Sequence, residues 1–171
     1  ISIAQSVTNL VCFGENDGSI DITVFGGSPD YTFLWSNDAT TEDVSGLAAG
    51  SYTVTITDIN LCSESFDFIV TEPTELLLSG DSDDISCDGE EDGSIDLTVS
   101  GGTLDYDYVW TNESGDTISI EEDVFDLGPG TYSVLVTDGL NCIDSLSFDI
   151  FEPAGLGVTI DNVTNNSCYS L

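Results

Sequence analysis

The chain has 171 residues, a length that suits one large domain or two small ones, and carries 33 Asp and Glu with no Lys, Arg or His. Without a basic side chain nothing can clamp phosphate or carboxylate, which excludes nucleic acid as a partner and direct electrostatic docking on an anionic membrane. Hydrophobic residues make up 40% of the chain, with eight Phe, six Tyr and two Trp, enough to pack cores and hold the charge on the surface rather than leave the chain disordered. No apolar run approaches transmembrane length and Ile1 begins no signal peptide, so the expectation is a piece of a longer precursor without membrane insertion.

Taken in chain order, the periodicity is two almost everywhere. Strands are predicted near 1–11, 19–25, 30–35, 42–47, 51–57 and 63–71. Ile20, Ile22 and Val24 alternate with Asp21 and Thr23, Tyr52, Val54 and Ile56 alternate with threonines, and Phe66 and Phe68 flank Asp67. Such runs, rich in β-branched and aromatic residues and bounded by Gly, Asn and Asp, read as half-buried strands. No stretch has convincing helical periodicity.

The pattern then starts again. GSIDITVFGG from Gly18 recurs as GSIDLTVSGG from Gly93, and Trp35 recurs as Trp110, both at an offset of 75. GSYTVTITD from Gly50 recurs as GTYSVLVTD from Gly130, at an offset of 80, followed by Cys62 against Cys142 and Glu72-Pro73 against Glu152-Pro153. The difference is a five-residue insertion after Trp110, within TNESGDTISIEE. Cys12, Cys87 and Cys168 occupy one equivalent position. The predicted organisation is a first repeat at 1–73, a second at 74–153, and the first strand of a truncated third at 154–171, so both ends are expected to fall inside an array.

Six or seven short strands in each repeat of about 75–80 residues suggest an all-β, immunoglobulin-like sandwich in tandem, with no significant helix. Leu47-Ala-Ala-Gly50-Ser-Tyr52 and Leu127-Gly-Pro-Gly130-Thr-Tyr132 have the form of a tyrosine corner, in which the hydroxyl ties the start of a strand to nearby backbone. Trp35 and Trp110 end the third strand, where a sandwich core takes a large ring. They are read as core and given no binding role.

The order Cys, acidic loop, GSI strand, Gly-Gly, Tyr-x-Phe/Tyr-x-Trp, Leu-x-x-Gly-x-Tyr-x-Val-x-Val/Ile-Thr-Asp, Cys and Glu-Pro resembles the SprB repeat. The resemblance covers nearly the whole chain. It implies a segment of a very long surface adhesin of gliding Bacteroidota, exported by type IX secretion and displayed extracellularly as mobile cell-surface filaments. Such filaments adhere to the substratum or to polysaccharide during gliding. The implied partners are neighbouring repeats of the same chain and that substratum or polysaccharide. Asp116-Thr117-Ile118 and Asp144-Ser145-Leu146 match the O-glycosylation pattern the resemblance implies, with Thr117 and Ser145 as candidates. Asn112-Glu-Ser114 and Asn162-Val-Thr164 fit N-glycosylation sequons, which mean little in a bacterium.

Five periodic cysteines suggest an oxidising compartment and disulfides. The default pairing is within each repeat, Cys12 with Cys62 and Cys87 with Cys142. In a seven-strand up-and-down count, however, Cys12 and Cys62 lie at opposite ends of a sandwich, too far for Cα atoms that must approach within roughly 7 Å. The first-to-second strand turn then faces the next repeat's turn between its last two strands, favouring Cys12 with Cys142 across the junction. If one strand is missing from the count, the default returns.

The same geometry suggests calcium at the junction. Glu15, Asp17, Glu72, Asp138 and Asn141 would converge there as hard oxygen ligands, and Glu90 and Asp92 would repeat the site at the next junction. The bland alternative is a set of solvated acidic loops. DGEEDG from Asp88 is not an EF-hand, since Val99 stands where the bidentate Glu should be.

An enzyme is not expected. Acid–base and nucleophilic catalysis usually draw on His, Lys or an activated Ser or Cys, and paired carboxylates alone occur by chance among so many acids. The rival reading is a lectin-like glycan-binding module using Tyr31, Tyr106 and Tyr108, residues that the strand pattern equally places in the core. A stalk of repeats, each touching only its neighbours, fits the duplication better.

Overall fold

The computed structural model describes residues 1–155 and 157. Cys168 and Asn162, with nearly all of the expected third-repeat strand, lie outside the described residues. The first half contains β1 (Ser2–Thr8), β2 (Gly18–Phe25), β3 (Thr32–Trp35), β4 (Val44–Leu47), β5 (Gly50–Thr57) and β6 (Ser63–Val70). They form two sheets, β1-β2-β4 and β3-β5-β6, all of antiparallel pairs. The second half contains β7 (Leu77–Asp83), β8 (Gly93–Ser100), β9 (Asp107–Asn112), β10 (Thr117–Ser119), β11 (Val124–Leu127), β12 (Gly130–Thr137) and β13 (Ile143–Ile150). Its sheets are β7-β8-β11 and β10-β9-β12-β13. The described residues contain no helix. The fold is all-β, as its periodicity of two requires, and immunoglobulin-like in the two antiparallel sheets packed in each half.

Each half encloses its own core, built from equivalent positions. Leu10, Ile20, Trp35, Val54 and Val70 in the first correspond to Ile85, Ile95, Trp110, Val134 and Ile150 in the second. The rings of Trp35 and Trp110 are 1% and 0% exposed. They pack on Phe68 and Phe148 with centroids 5.6 and 6.0 Å apart. Each indole N–H still needs an acceptor once buried. Trp35 Nε1 donates to the Thr41 carbonyl at 2.9 Å and Trp110 Nε1 to that of Glu121 at 3.0 Å.

Both tyrosine corners form, with the Tyr52 and Tyr132 hydroxyls donating to the carbonyls of Ala48 and Gly128, each at 3.0 Å. The glycine of each GSI motif has a packing reason. A Cβ on Gly18 would sit 2.8 Å from the Leu47 carbonyl oxygen and from Val70, and one on Gly93 would sit 2.8 Å from Ile150.

β1 stops at Thr8 rather than near residue 11. Beyond it the chain leaves β2 and turns to the exit of β6, where Leu10 N donates to the Thr71 carbonyl and Thr71 N to Asn9 Oδ1. The insertion also acquires a form. In the first half the chain folds back after β3 through a tight turn, with Asp38 N donating to the Trp35 carbonyl, and returns without making a strand. In the second half β9 runs on to Asn112, whose side-chain oxygen accepts the N–H groups of Ser114 and Asp116. The return then pairs with β9 as β10.

Register fixes which turns share an end. β2 begins at Gly18 opposite Leu47, beside the start of β5 at Gly50. β5 ends at Thr57 opposite Thr32, the start of β3. The β1–β2 turn and the β5–β6 turn therefore lie at opposite ends of the sandwich.

Candidate functional site

The chain leaves β6 at the same end as the β1–β2 turn and enters β7 beside the β12–β13 turn, so two turns from different halves meet. Cys12 and Cys142 are disulfide-bonded there, with Cα atoms 5.6 Å apart across 130 residues of sequence. Cys142 is 9% exposed, and its sulfur lies 3.5 Å from the Val11 carbonyl oxygen. The seam forms a half-open cavity of about 340 Å³ whose walls include Phe13, Glu15, Leu76, Asp138, Asn141 and Ile143. The within-repeat pairings Cys12–Cys62 and Cys87–Cys142 are not formed. Cys62 sits on the β5–β6 turn, a sandwich length from Cys12, and among the described residues Cys62 and Cys87 are exposed and free.

In a chain without cationic side chains, carboxylates must find other donors, and here they take backbone N–H groups. Asp138, buried at the start of the β12–β13 turn, accepts from Thr103, Leu140 and Cys142 at 2.8–2.9 Å. Burial works against its charge, yet the donors from Cys142, Thr103 and Leu140 outweigh it and hold the carboxyl below the ordinary Asp range. Asp58 does the same in the first half. Ser28, Cys62 and Asn60 donate to it at 2.9–3.0 Å and likewise hold its carboxyl low. Asp43 and Asp123 each accept one strand N–H, from Ile22 and Leu97, at 2.9 Å.

The Glu-Pro pairs have a similar use. Glu72 accepts from Gly14 N at 2.9 Å and Glu152 from Gly89 N at 2.6 Å, tying each linker to the cysteine-bearing turn beneath it. Asp92 accepts from Ser86 N at 2.9 Å, and the Ser86 hydroxyl and N–H together hold its carboxyl below the usual value. Asp17 stands in the same relation to Val11 N at 3.4 Å.

The expected calcium set does not assemble as one cluster. Glu15, Asp138 and Asn141 line the seam cavity, but the oxygens of Asp138 are turned to backbone donors and Glu72 and Asp17 face their own turn. At the other end Asp92 is engaged with Ser86, while the backbone N–H of Glu90 closes its turn onto the Cys87 carbonyl. Among the described residues no group of three or more His, Cys, Asp or Glu stands close enough to hold a metal ion.

Asp58 is the residue that sequence reasoning passed over. Its signal was present in the duplicated Thr-Asp-x-x-x-Cys, at Thr57–Cys62 and Thr137–Cys142, the spacing of an aspartate that caps its own turn. Tyr31, Tyr106 and Tyr108 pack on the two cores, and the hydroxyls of Tyr31 and Tyr106 donate to the carbonyls of Gly26 and Gly101. Thr117 and Ser145 are exposed, on β10 and β13.

Comparison with known proteins gives a consistent picture. The family model "SprB repeat" matches twice, at residues 4–40 and 79–115. No curated protein sequence matches the chain. Among solved structures it is similar to the N-terminal eight Ig domains of Down Syndrome Cell Adhesion Molecule, at 15% identity and a TM-score of 0.44, over 90% of this chain and 25% of that one. It is also similar to the N-terminal four Ig domains of Dscam1 isoform 4.4, at 12% identity and a TM-score of 0.39, over 73% of this chain and 38% of that one. A third is the full ectodomain of mouse nectin-like molecule 4, at 9% identity and a TM-score of 0.40, over 91% of this chain and 66% of that one. The chain thus spans well under half the length of the first two. At these identities and TM-scores no argument about function is drawn from the likeness.

Proposed function

We propose, from its membership of the SprB-repeat family, that this chain is a non-enzymatic stretch of a cell-surface adhesin filament, in which the repeats act as a stiff stalk. The observation that carries the reading is the seam. Two sandwiches are joined end to end by a short linker, and a second covalent connection, Cys12–Cys142, crosses the same joint. A joint held at two points resists bending as a single linker does not. That suits a spacer that must hold an adhesive element away from a cell, and a disulfide suits an extracytoplasmic position.

The organisation into repeats at 1–73 and 74–153, with a third beginning at 154, belongs to this reading, as do export by type IX secretion and a role in adhesion or gliding. A net charge of −33 would keep neighbouring filaments apart and discourage pairing between exposed strand edges. The carboxylates most withdrawn from solvent serve as turn caps, which supports scaffolding rather than catalysis. The core-packed tyrosines lend no support to a glycan-binding face.

Small-angle scattering tests the stalk. Two sandwiches of about 40 Å in line predict a maximum dimension of roughly 80 Å, retained at low and high salt while the disulfide is intact. A folded-back particle of little more than half that length would contradict the reading, and so would saturable binding on a glycan array.

A further inference from the structure

We propose that the two outer ends of this chain are complementary halves of the joint at its centre, so that another repeat of the same construction docks on each end and closes Cys62 or Cys87 into a further staple. The inference rests on the repeat-array reading above and adds its partner.

The lower end of the first sandwich carries the β5–β6 turn, with Cys62 exposed, Ile59 61% exposed and Leu61 84% exposed. Its counterpart in the second sandwich is the β12–β13 turn, where Cys142 is buried against its partner while Leu140 stays 41% exposed. Cys142 is bonded to Cys12, and Phe13 walls the cavity beside it. The same face is thus seen once with its occupant and once without, and the occupant is a cysteine-bearing β1–β2 turn. In the bare version Leu61 stands where Asn141 lines the seam cavity, so a second such turn would meet its side chain beside the cysteine.

The upper end of the second sandwich supplies that turn. Gly89 N is held by Glu152 as Gly14 N is held by Glu72, and Glu90 N closes the turn onto Cys87 as Glu15 N does onto Cys12. Cys87 is therefore presented in the same way as Cys12. On the other side, Asp58 caps the Cys62 turn with the bonds that Asp138 makes to the Cys142 turn. Both halves are preformed, so docking costs little reordering. A contact between unlike ends does not close on itself and propagates as an open chain.

Closing each staple converts two thiols to one disulfide. Two protons and two electrons leave and pass to a disulfide oxidant, such as glutathione disulfide, which is reduced to two thiols.

The test uses a second copy of the full chain as the probe. With Cys168→Ser throughout, Cys62→Ser and Cys87→Ser proteins are oxidised with glutathione disulfide, alone and mixed, in about 0.5 M NaCl so that like charge is screened. The mixture is expected to form covalent dimer about tenfold faster than either variant alone, the factor that ~1.4 kcal/mol of docking provides, with the Cys62–Cys87 peptide in the digest. Leu61→Asp in the Cys87→Ser partner should return the mixture to the unmixed rate with Cys62 still present. Equal rates, predominance of like-with-like dimers, or capture of both thiols by glutathione alone would overturn the joint. Protein that fails in any of these ways yet still scatters as two sandwiches in line would leave the stalk reading standing.

Discussion

Cys12 and Cys142 stand 130 residues apart in sequence and 5.6 Å apart at their Cα atoms, and each belongs to a different sandwich with its own core. The bond therefore does not staple either sandwich internally. It locks the position of one against the other, and every residue from 13 to 141 lies within the closed loop.

Removing the bond should loosen the joint before it weakens the cores. Loop-closure entropy for a ring of this size is worth up to about 5 kcal/mol, all of it withdrawn in a Cys142→Ser variant. In urea, the oxidised wild type is expected to unfold at a higher midpoint than the variant, and the variant to resolve into two transitions, one for each core. Coincident transitions at an unchanged midpoint would show that the seam does not couple the sandwiches.

The capped aspartates set an acid limit. Asp58 and Asp138 are held below the ordinary value by their backbone donors. Their contribution is therefore fully present above the unfolded Asp pKa of about 3.9 and is lost as pH falls through the lower folded values. Comparing wild type with the Asp58→Asn, Asp138→Asn double variant cancels the repulsion that both proteins share. The wild type should melt several degrees higher at pH 6, and that advantage should vanish towards pH 2. A difference that is constant with pH would mean the charge of these groups is not what the turns use.

Two motifs predict separable costs. Gly93→Ala places a methyl group against Ile150 and the Leu127 carbonyl, at 2.8 and 2.9 Å, and should destabilise the second sandwich by about 1–3 kcal/mol. Tyr132→Phe removes only the hydroxyl bond to Gly128, at a cost of about 1 kcal/mol. Chemical denaturation measures both. A larger loss for Tyr132→Phe than for Gly93→Ala would reverse the roles assigned to them.

The duplication made most of the fold legible. Offsets of 75 and 80 located the strands, both tryptophans, both tyrosine corners and the insertion, because period-two burial and turn chemistry are local properties. Strand direction stayed open between a six- and a seven-strand count; in the structure β3 and β4 run the same way, with residues 36–43 making the return without a strand. That parity separates Cys12 from Cys62. The roles of the acids were not legible. Whether Asp138 faces a cation or a backbone N–H depends on which donors the turn leaves unpaired, and those donors belong to Thr103, Leu140 and Cys142, one of them 35 residues away. Asp58 differs, since its capping role is legible in the duplicated Thr-Asp-x-x-x-Cys.

Single-molecule stretching between Ile1 and Leu171 tests the central claim most directly. If the joint is closed through Cys12 and Cys142, tension bypasses residues 13–141, and only the segments outside the loop can lengthen. The oxidised protein should therefore stop extending early, and adding a reductant should release roughly 420–460 Å more contour length, at about 3.3–3.6 Å per residue. An oxidised protein that extends to its full unfolded length would contradict the account of a stalk stapled across its joints.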